Sequence, residues 1–324
     1  MHHYPRPVFP FFVGAGRSGS TLLRAMFNNH PGLAIAHESR FVPWVLERAP
    51  HYEAGGQFKL DEYTFDALRS ERSRTRVPEW EVDLDWLATE IEAAAPATTV
   101  EAVRATFGAY AKAKGKPGYG DKTPSYRRHV TALAGAFPES RFVHLIRDGR
   151  DVALAWRDVA FGTHDAVHAA MAWRRAVSDA RSAGRPLGER RYLEVRYEDL
   201  VDDPESVTRR ICAFLDLPFV PELLAHHERP DMAMADLGSQ KHHENLRKPI
   251  TRGLRDWRAQ MSDHDVRLVE SFAGDLLADV GYEVRYGQRR DSWTRLTGRV
   301  RYLYYHADSY RRARRRRQSR RVDS

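Results

Sequence analysis

A single cysteine, Cys212, stands in 324 residues. No disulfide within the chain is possible, and such usage points to a reducing compartment, read here as the cytoplasm. Long hydrophobic runs are missing too. Nothing approaches the ~20 apolar residues that cross a bilayer, and the short run Val8–Val13, bounded by Pro and Gly, reads as a strand rather than a signal segment. The histidine pairs at 2–3, 226–227 and 242–243 lack zinc-site spacing, and there is no His-Glu-x-x-His or cysteine cluster, so no metal is assigned. Positive charge is scarcer than the net +8 suggests. Gly298–Ser324 carries ten Arg against two Asp, which accounts for all of it and leaves the preceding residues at zero. The folded body therefore gives no sign of nucleic-acid binding. The run Arg311–Arg317 reads as a solvated or disordered tail, with contact of Arg311–Arg321 with an anionic lipid surface, nucleic acid or an acidic partner as the competing reading.

What is present alternates between strand and helix patterns. Val8–Val13 is a strand that breaks at Gly14–Gly19 and resumes as a helix with Leu22, Leu23, Met26 and Phe27 at helical spacing. Leu33–Ala36, Arg141–Ile146 and Arg191–Val195 read as further buried strands, and "YGDKTPSYRRHV" as a short strand before a helix with Pro124 near its start. Helices are predicted within 83–114, after Arg147 and over 165–180, and one is capped by Asp203 with Pro204 at its first position. The polar segment 53–80 reads as an insertion or lid. The alternation implies an α/β fold with a P-loop-like central parallel sheet flanked by helices. Residues 1–287 form one domain in this reading and 288–324 a basic C-terminal helix or tail.

The glycine turn in "FVGAGRSGSTLLRAMFNNHP" joins a strand to a helix N-terminus, the standard geometry for gripping a phosphate through backbone N–H groups and the helix dipole. Its spacing fits G-x-x-x-x-G-K-[ST], but Ser20 occupies the Lys position and Thr21 follows. With Arg17 before the turn's end, the site offers a guanidinium, hydroxyls and amides, a set that suits an oxyanion without Mg²⁺.

"GRSGSTLLRAMFNNHP…HESRFVP" resembles the 5′-phosphosulfate loop of sulfotransferases, particularly the tyrosylprotein sulfotransferase branch and its bacterial relatives. "GDKTP" at 120–124, "RFVHLIRDGRDVALAW" at 141–156, "RYEDLVDDPE…FLDLP" at 196–218 and "KPITRGLRDW" at 248–257 resemble later family segments in the same order.

The resemblance implies a sulfotransferase domain that uses 3′-phosphoadenylyl sulfate (PAPS) as co-substrate. Arg17, Ser18, Gly19, Ser20 and Thr21 would hold the 5′-phosphosulfate, with Arg17 also catalytic. Lys122 would meet charge on the bridging oxygen as the S–O bond breaks. The His that serves as base in the cytosolic branch is replaced by Pro124, and Glu38 stands at the base position of the tyrosylprotein branch. Its expected pKa is raised by partial desolvation, with pairing to Arg40 as the competing reading and His37 as the alternative base. Arg147 would bind the 3′-phosphate, where the usual family Ser is replaced by Ala155, with Lys248 and Arg252 as further sources of charge. Tyr197 would contact adenine.

The acceptor implied is a hydroxyl, or less readily an amine, on a small molecule, glycan, lipid or peptide tyrosine. Two other readings compete: a P-loop phosphotransferase or ATPase, disfavoured by the missing lysine, and a polyanion-binding protein acting through its arginine tail. Residues 53–80 and 225–247 are the expected acceptor-side walls.

Overall fold

In Phe9–Gly14 (β1), Phe9, Phe11 and Val13 alternate with Pro10 and Phe12, and the whole strand is buried. A strand hydrophobic on both faces belongs in the middle of a covered parallel sheet. The computed structural model, which describes residues 8–158, 163–228, 246–250 and 255–286, places it there. The other strands are Leu33–His37 (β2), Gly118–Lys122 (β3), Ser140–Ile146 (β4) and Tyr192–Arg196 (β5). They run in the order β2-β3-β1-β4-β5 with every pairing parallel. The register aligns Phe12 with both Lys122 and Val143, and His37 with Lys122.

The helices are Ser20–Asn28 (α1), Val42–Glu47 (α2), Ala49–Tyr52 (α3), Leu60–Leu68 (α4), Leu84–Ala93 (α5), Thr99–Ala113 (α6), Val130–Ala136 (α7), Gly149–Arg157 (α8), Ala166–Gly184 (α9), Tyr197–Asp202 (α10), Pro204–Phe214 (α11), Trp257–Gln260 (α12) and Asp263–Asp279 (α13). Short 3-10 turns lie at Val77–Glu79 and Pro124–Arg128.

These residues fall into two compact units. The first, whose described residues fall within 8–147 and 177–250, holds the sheet. Phe9, Phe11, Val13, Ala36 and Phe142 pack on one face against α2–α7. Phe12, Ile35, Val143, Leu145 and Val195 pack on the other against Leu23, Met26 and Phe27 of α1 and Val207 and Ile211 of α11. Asp203 caps α11 by accepting from the Ser206 N–H, with Pro204 at the first turn. The segment 53–80 is not a lid. Tyr63, Ala67, Leu68, Val77 and Trp80 are buried in the main core, and the polar character that suggested an insertion is the outer face of α4 and its flanking turns.

The second unit, whose described residues fall within 148–176 and 255–286, is built around buried Trp173 and Trp257. The fully buried Arg150 guanidinium takes Asp148 in a fork of 2.9 and 2.7 Å, reaches Glu270 Oε1 at 2.6 Å, and lies 3.6 Å from the centre of the Trp257 ring. The Trp257 N–H donates to Asp151 at 2.8 Å, which ties α12 to α8. The tail 288–324, most of 225–247 and Arg252 lie outside the described residues.

Candidate active site

A parallel sheet presents all its carboxyl ends on one edge, and ligand sites form there. Each strand of this sheet ends on one of the predicted residues. β1 runs into the Gly14–Thr21 loop, β2 into His37–Glu38, β3 ends on Lys122, β4 is followed by Arg147 and β5 by Tyr197. Three of the seven described non-glycine residues with positive φ lie in this edge: Arg17 (69°), Glu38 (22°) and Arg40 (61°). Backbone held in such conformations concentrates where geometry serves function.

The loop is shaped from within. The Ser18 hydroxyl is buried and donates to the Ala15 carbonyl at 2.7 Å, closing the turn. Gly14 tolerates no Cβ, because one would sit 2.5 Å from the Leu145 carbonyl oxygen on the neighbouring strand. Helix α1 begins at Ser20 after Gly19, with no side chain capping it and no acidic residue in its first turn. Its first N–H groups and its positive dipole end thus remain directed at whatever occupies the loop mouth. Gly19 sits against the Tyr197 ring, where a Cβ would approach Cδ2 to 2.4 Å. Beyond the ring lies Arg147, its guanidinium carbon 4.5 Å from the ring centre and its Nη1 3.5 Å from the Arg17 carbonyl oxygen. Arg147, Tyr197, Gly19 and Arg17 form one contiguous group, and the next carboxylate in the chain, Asp148, accepts from Arg150. Lys248 is exposed, two residues after Leu246, which packs on Ala25 and Leu22 of α1. Ala155 is buried within α8, in the second unit.

Lys122 is 1% exposed, so it is no surface charge. Its ammonium lies 2.9 Å from His37 Nδ1 and 3.7 Å from Glu38 Oε1. Burial pulls its pKa down to about 8, with Glu38 opposing that and Arg24 reinforcing it. An ammonium can only donate, so His37 Nδ1 accepts from it and is not available to take a proton from an acceptor hydroxyl.

Glu38 differs from the expectation of a raised pKa. Burial does push it up, but Lys122, Arg40 and Arg76 together outweigh burial and hold it below the ordinary glutamate value. The geometry shows why. Oε2 accepts from Arg40 at 3.0 and 2.6 Å and from Arg76 at 3.2 Å, while Oε1 faces Lys122. The Arg40 pairing that competed with a functional role is present, alongside a second guanidinium that no local pattern indicates. The backbone supports this arrangement: the Glu38 N–H donates to the Lys122 carbonyl at 3.1 Å and the Ser39 N–H to Asp121 Oδ2 at 3.3 Å.

Two functional neighbours escaped sequence reasoning. Arg24, one helical turn after Ser20, is wholly buried and donates from Nε to the Ile35 carbonyl at 2.9 Å. Its charge bears on Lys122. Arg76 comes from the segment read as a lid. Among the described residues no group of His, Cys, Asp and Glu is placed to hold a metal.

The family profile of sulfotransferases matches residues 10–222, and the chain belongs to the sulfotransferase family. It is similar to the protein-tyrosine sulfotransferase of Drosophila melanogaster, 25% identical over 292 residues, which are 87% of this chain and 53% of that protein. It is also similar to protein-tyrosine sulfotransferase A of Caenorhabditis elegans, 26% identical over 284 residues, 85% of this chain and 67% of that one. The nodulation protein NoeE of Sinorhizobium fredii is 24% identical over 315 residues, 89% of this chain and 69% of NoeE. The chain thus spans about half the length of the fly relative and two thirds of the worm one. Among solved structures, the sulfotransferase domain of the curacin biosynthetic pathway superposes with a TM-score of 0.59 at 21% identity, covering 86% of this chain and 99% of that one. The sulfotransferase domain of the Synechococcus PCC 7002 olefin synthase gives 0.52 at 26%, covering 84% and 96%. The parallel α/β architecture read from the sequence is the one these domains share. Among the described residues no helix is long and apolar enough to cross a membrane.

Proposed function

We propose that this protein transfers a sulfuryl group from PAPS to a hydroxyl acceptor, with Lys122 and Glu38 as the catalytic pair and Arg17 at the sulfuryl end of the loop. The observation that carries the reading is the buried Lys122 ammonium facing the Glu38 carboxylate on the edge where α1 presents its uncapped N-terminus. A helix start without competing acid fits a 5′-phosphosulfate, held by Ser20, Thr21 and the loop amides, while Ser18 keeps the loop closed. Arg147 is assigned to the 3′-phosphate with help from Lys248, and Tyr197 to the adenine side.

In this scheme Glu38 takes the acceptor proton as the acceptor oxygen bonds to sulfur. Lys122 donates to the bridging oxygen, where charge gathers as the old S–O bond breaks. A fixed cation in a dry site is worth most where charge develops during reaction. The acceptor class we favour is a peptide tyrosine, on the strength of the tyrosine-sulfotransferase relatives; sugars, lipids and small phenols are the alternatives. Residence in a reducing compartment belongs to the same proposal and rests on cysteine usage, with Cys212 buried and its thiol pushed up to about 12.

The test has two parts. 3′-Phosphoadenosine 5′-phosphate is expected to raise the melting temperature at concentrations where Mg²⁺-ATP does little, since a ligand of the native state stabilises by mass action. Radiolabelled PAPS is then offered with peptide, sugar, lipid and phenol acceptors. Strong stabilisation by Mg²⁺-ATP alone would replace this reading with a phosphotransferase.

A further inference from the structure

The 3-10 turn Val77–Glu79 and its flanks are stapled to the strand end that carries Glu38. The Arg76 N–H donates to the Ser39 carbonyl at 3.1 Å, and the Trp80 indole donates to the His37 carbonyl at 2.7 Å. Trp80 is itself wholly buried. On this rigid base the Arg76 side chain is gripped from the far side by Glu79, Nε donating to Oε1 at 2.7 Å and Nη2 pairing with Oε2. That leaves Nη1 pointing at Glu38 Oε2, 3.2 Å away. The two guanidiniums on Glu38 are therefore unlike. Arg40 belongs to the same loop and its side chain is 45% exposed, whereas Arg76 is 21% exposed and held at both ends. Arg40 makes the closer contacts and lowers the Glu38 pKa more than Arg76 does, but the less exposed Arg76, fixed by Glu79, is the cation less screened by water and salt.

We propose that Arg76, anchored by Glu79, is a positioning residue that sets the basicity of Glu38 and keeps its Oε1 as the proton-accepting oxygen. With Oε2 occupied by guanidinium hydrogen bonds, only Oε1 remains on the Lys122 side of the carboxylate. The charged and titratable groups that bear on this pair are Lys122 from β3, Arg40 and His37 from the β2 end, Glu79 behind Arg76, and, through Lys122, Asp121 and Arg24. The inference rests on Glu38 being the base, but its central claim about charge coupling does not require turnover to be tested.

The experiment uses the full-length protein with selectively labelled glutamate and arginine. In the wild type, the Arg76 guanidinium nitrogen signals are expected to move with the same midpoint as the Glu38 carboxyl carbon. In Arg76→Gln and Arg76→Met, measured in parallel, the Glu38 midpoint is expected to rise by about one unit, the scale of losing one close opposite charge. The backbone staple survives both substitutions. The acid limb of kcat/KM for the acceptor is expected to rise with it, kcat to fall about tenfold through lost orientation, and the KM for PAPS to stay put. Arg76→Lys is expected to restore most of the midpoint.

Arg76 signals that stay flat through the Glu38 titration in the wild type overturn the proposal. So does an unchanged Glu38 midpoint in a folded variant. A coupled titration in a protein that transfers no sulfuryl group would uphold the Arg76 assignment and defeat the functional reading instead.

Discussion

The Lys122 ammonium donates to Nδ1 of His37 at 2.9 Å, so the group assigned to leaving-group stabilisation is held by a neutral imidazole as well as by a carboxylate. Burial brings its pKa to about 8. The protonated form is the useful one, so kcat/KM for PAPS is expected to fall as pH rises through about 8, well below the ordinary lysine range. The stability effect has the opposite sign. Between about 8 and the unfolded lysine value the unfolded chain binds more protons, so Lys122's contribution to stability rises with pH over the range where activity falls. Chemical denaturation and pH–rate profiles between pH 7 and 10, with Lys122→Met as reference, check both.

Glu38→Gln is expected to leave the affinity for 3′-phosphoadenosine 5′-phosphate nearly intact and to lower turnover by roughly 10²–10⁴-fold, the range for losing a general base. It also removes the carboxylate that joins Arg40, Arg76 and Lys122. The residual activity is therefore expected to show its alkaline limb at lower pH than the wild type. Near-normal turnover in the variant would assign the proton to another group.

Gly19 has φ 95° and its missing Cβ would lie 2.4 Å from Tyr197; Gly55 has φ 88° with nothing within 4 Å. Gly55→Ala thus reports the backbone penalty alone, about 1 kcal/mol. Gly19→Ala adds the collision and is expected to cost about 1–3 kcal/mol more and to weaken the bisphosphate sharply. Tyr197→Ala in the Gly19→Ala background is expected to recover stability without recovering affinity. Thermal unfolding and calorimetric titration of the four proteins separate the effects.

What the sequence disclosed follows from what was local. β1 and β4 show dense apolar runs, the glycine loop is contiguous, and Asp203-Pro204 marks a helix start by itself. β3, "GYGDK", carries almost no apolar signal and is recognisable only through the motif around Lys122. The segment 53–80 looked like a lid because its buried residues, Tyr63, Val77 and Trp80, are widely spaced among polar ones. The basicity of Glu38 was misjudged for the same reason. Its desolvation can be inferred from a strand end, but Arg76 arrives from 38 positions away and Lys122 from 84, and their combined charge reverses the sign. Arg24 gave no signal at all, since an arginine on a helix is ordinarily solvated.

Arg150 tests the second unit. Arg150→Met is expected to destabilise by about 3–5 kcal/mol, because Asp148 and Glu270 are left buried without their shared cation. Calorimetry measures the magnitude, and hydrogen exchange is expected to show the loosening in α8 and α13.

The order β2-β3-β1-β4-β5 also dictates when during synthesis the site can exist. Neither β1 nor β2 has a strand neighbour until β3, beginning at Gly118, has been made, and the second flank of β1 waits for β4 at Ser140. All four pairings are parallel, so none can form as a local hairpin. While the hundred or so residues between β1 and β3 are being made, the apolar Phe9–Val13 segment has no strand of this sheet to pair with, and the loop that follows it has no frame. Such non-local assembly is slow and leaves apolar strand exposed. A nascent chain halted short of residue 118 is therefore a client for a chaperone, and ligand cannot rescue it, because the residues that would grip the ligand have not yet met.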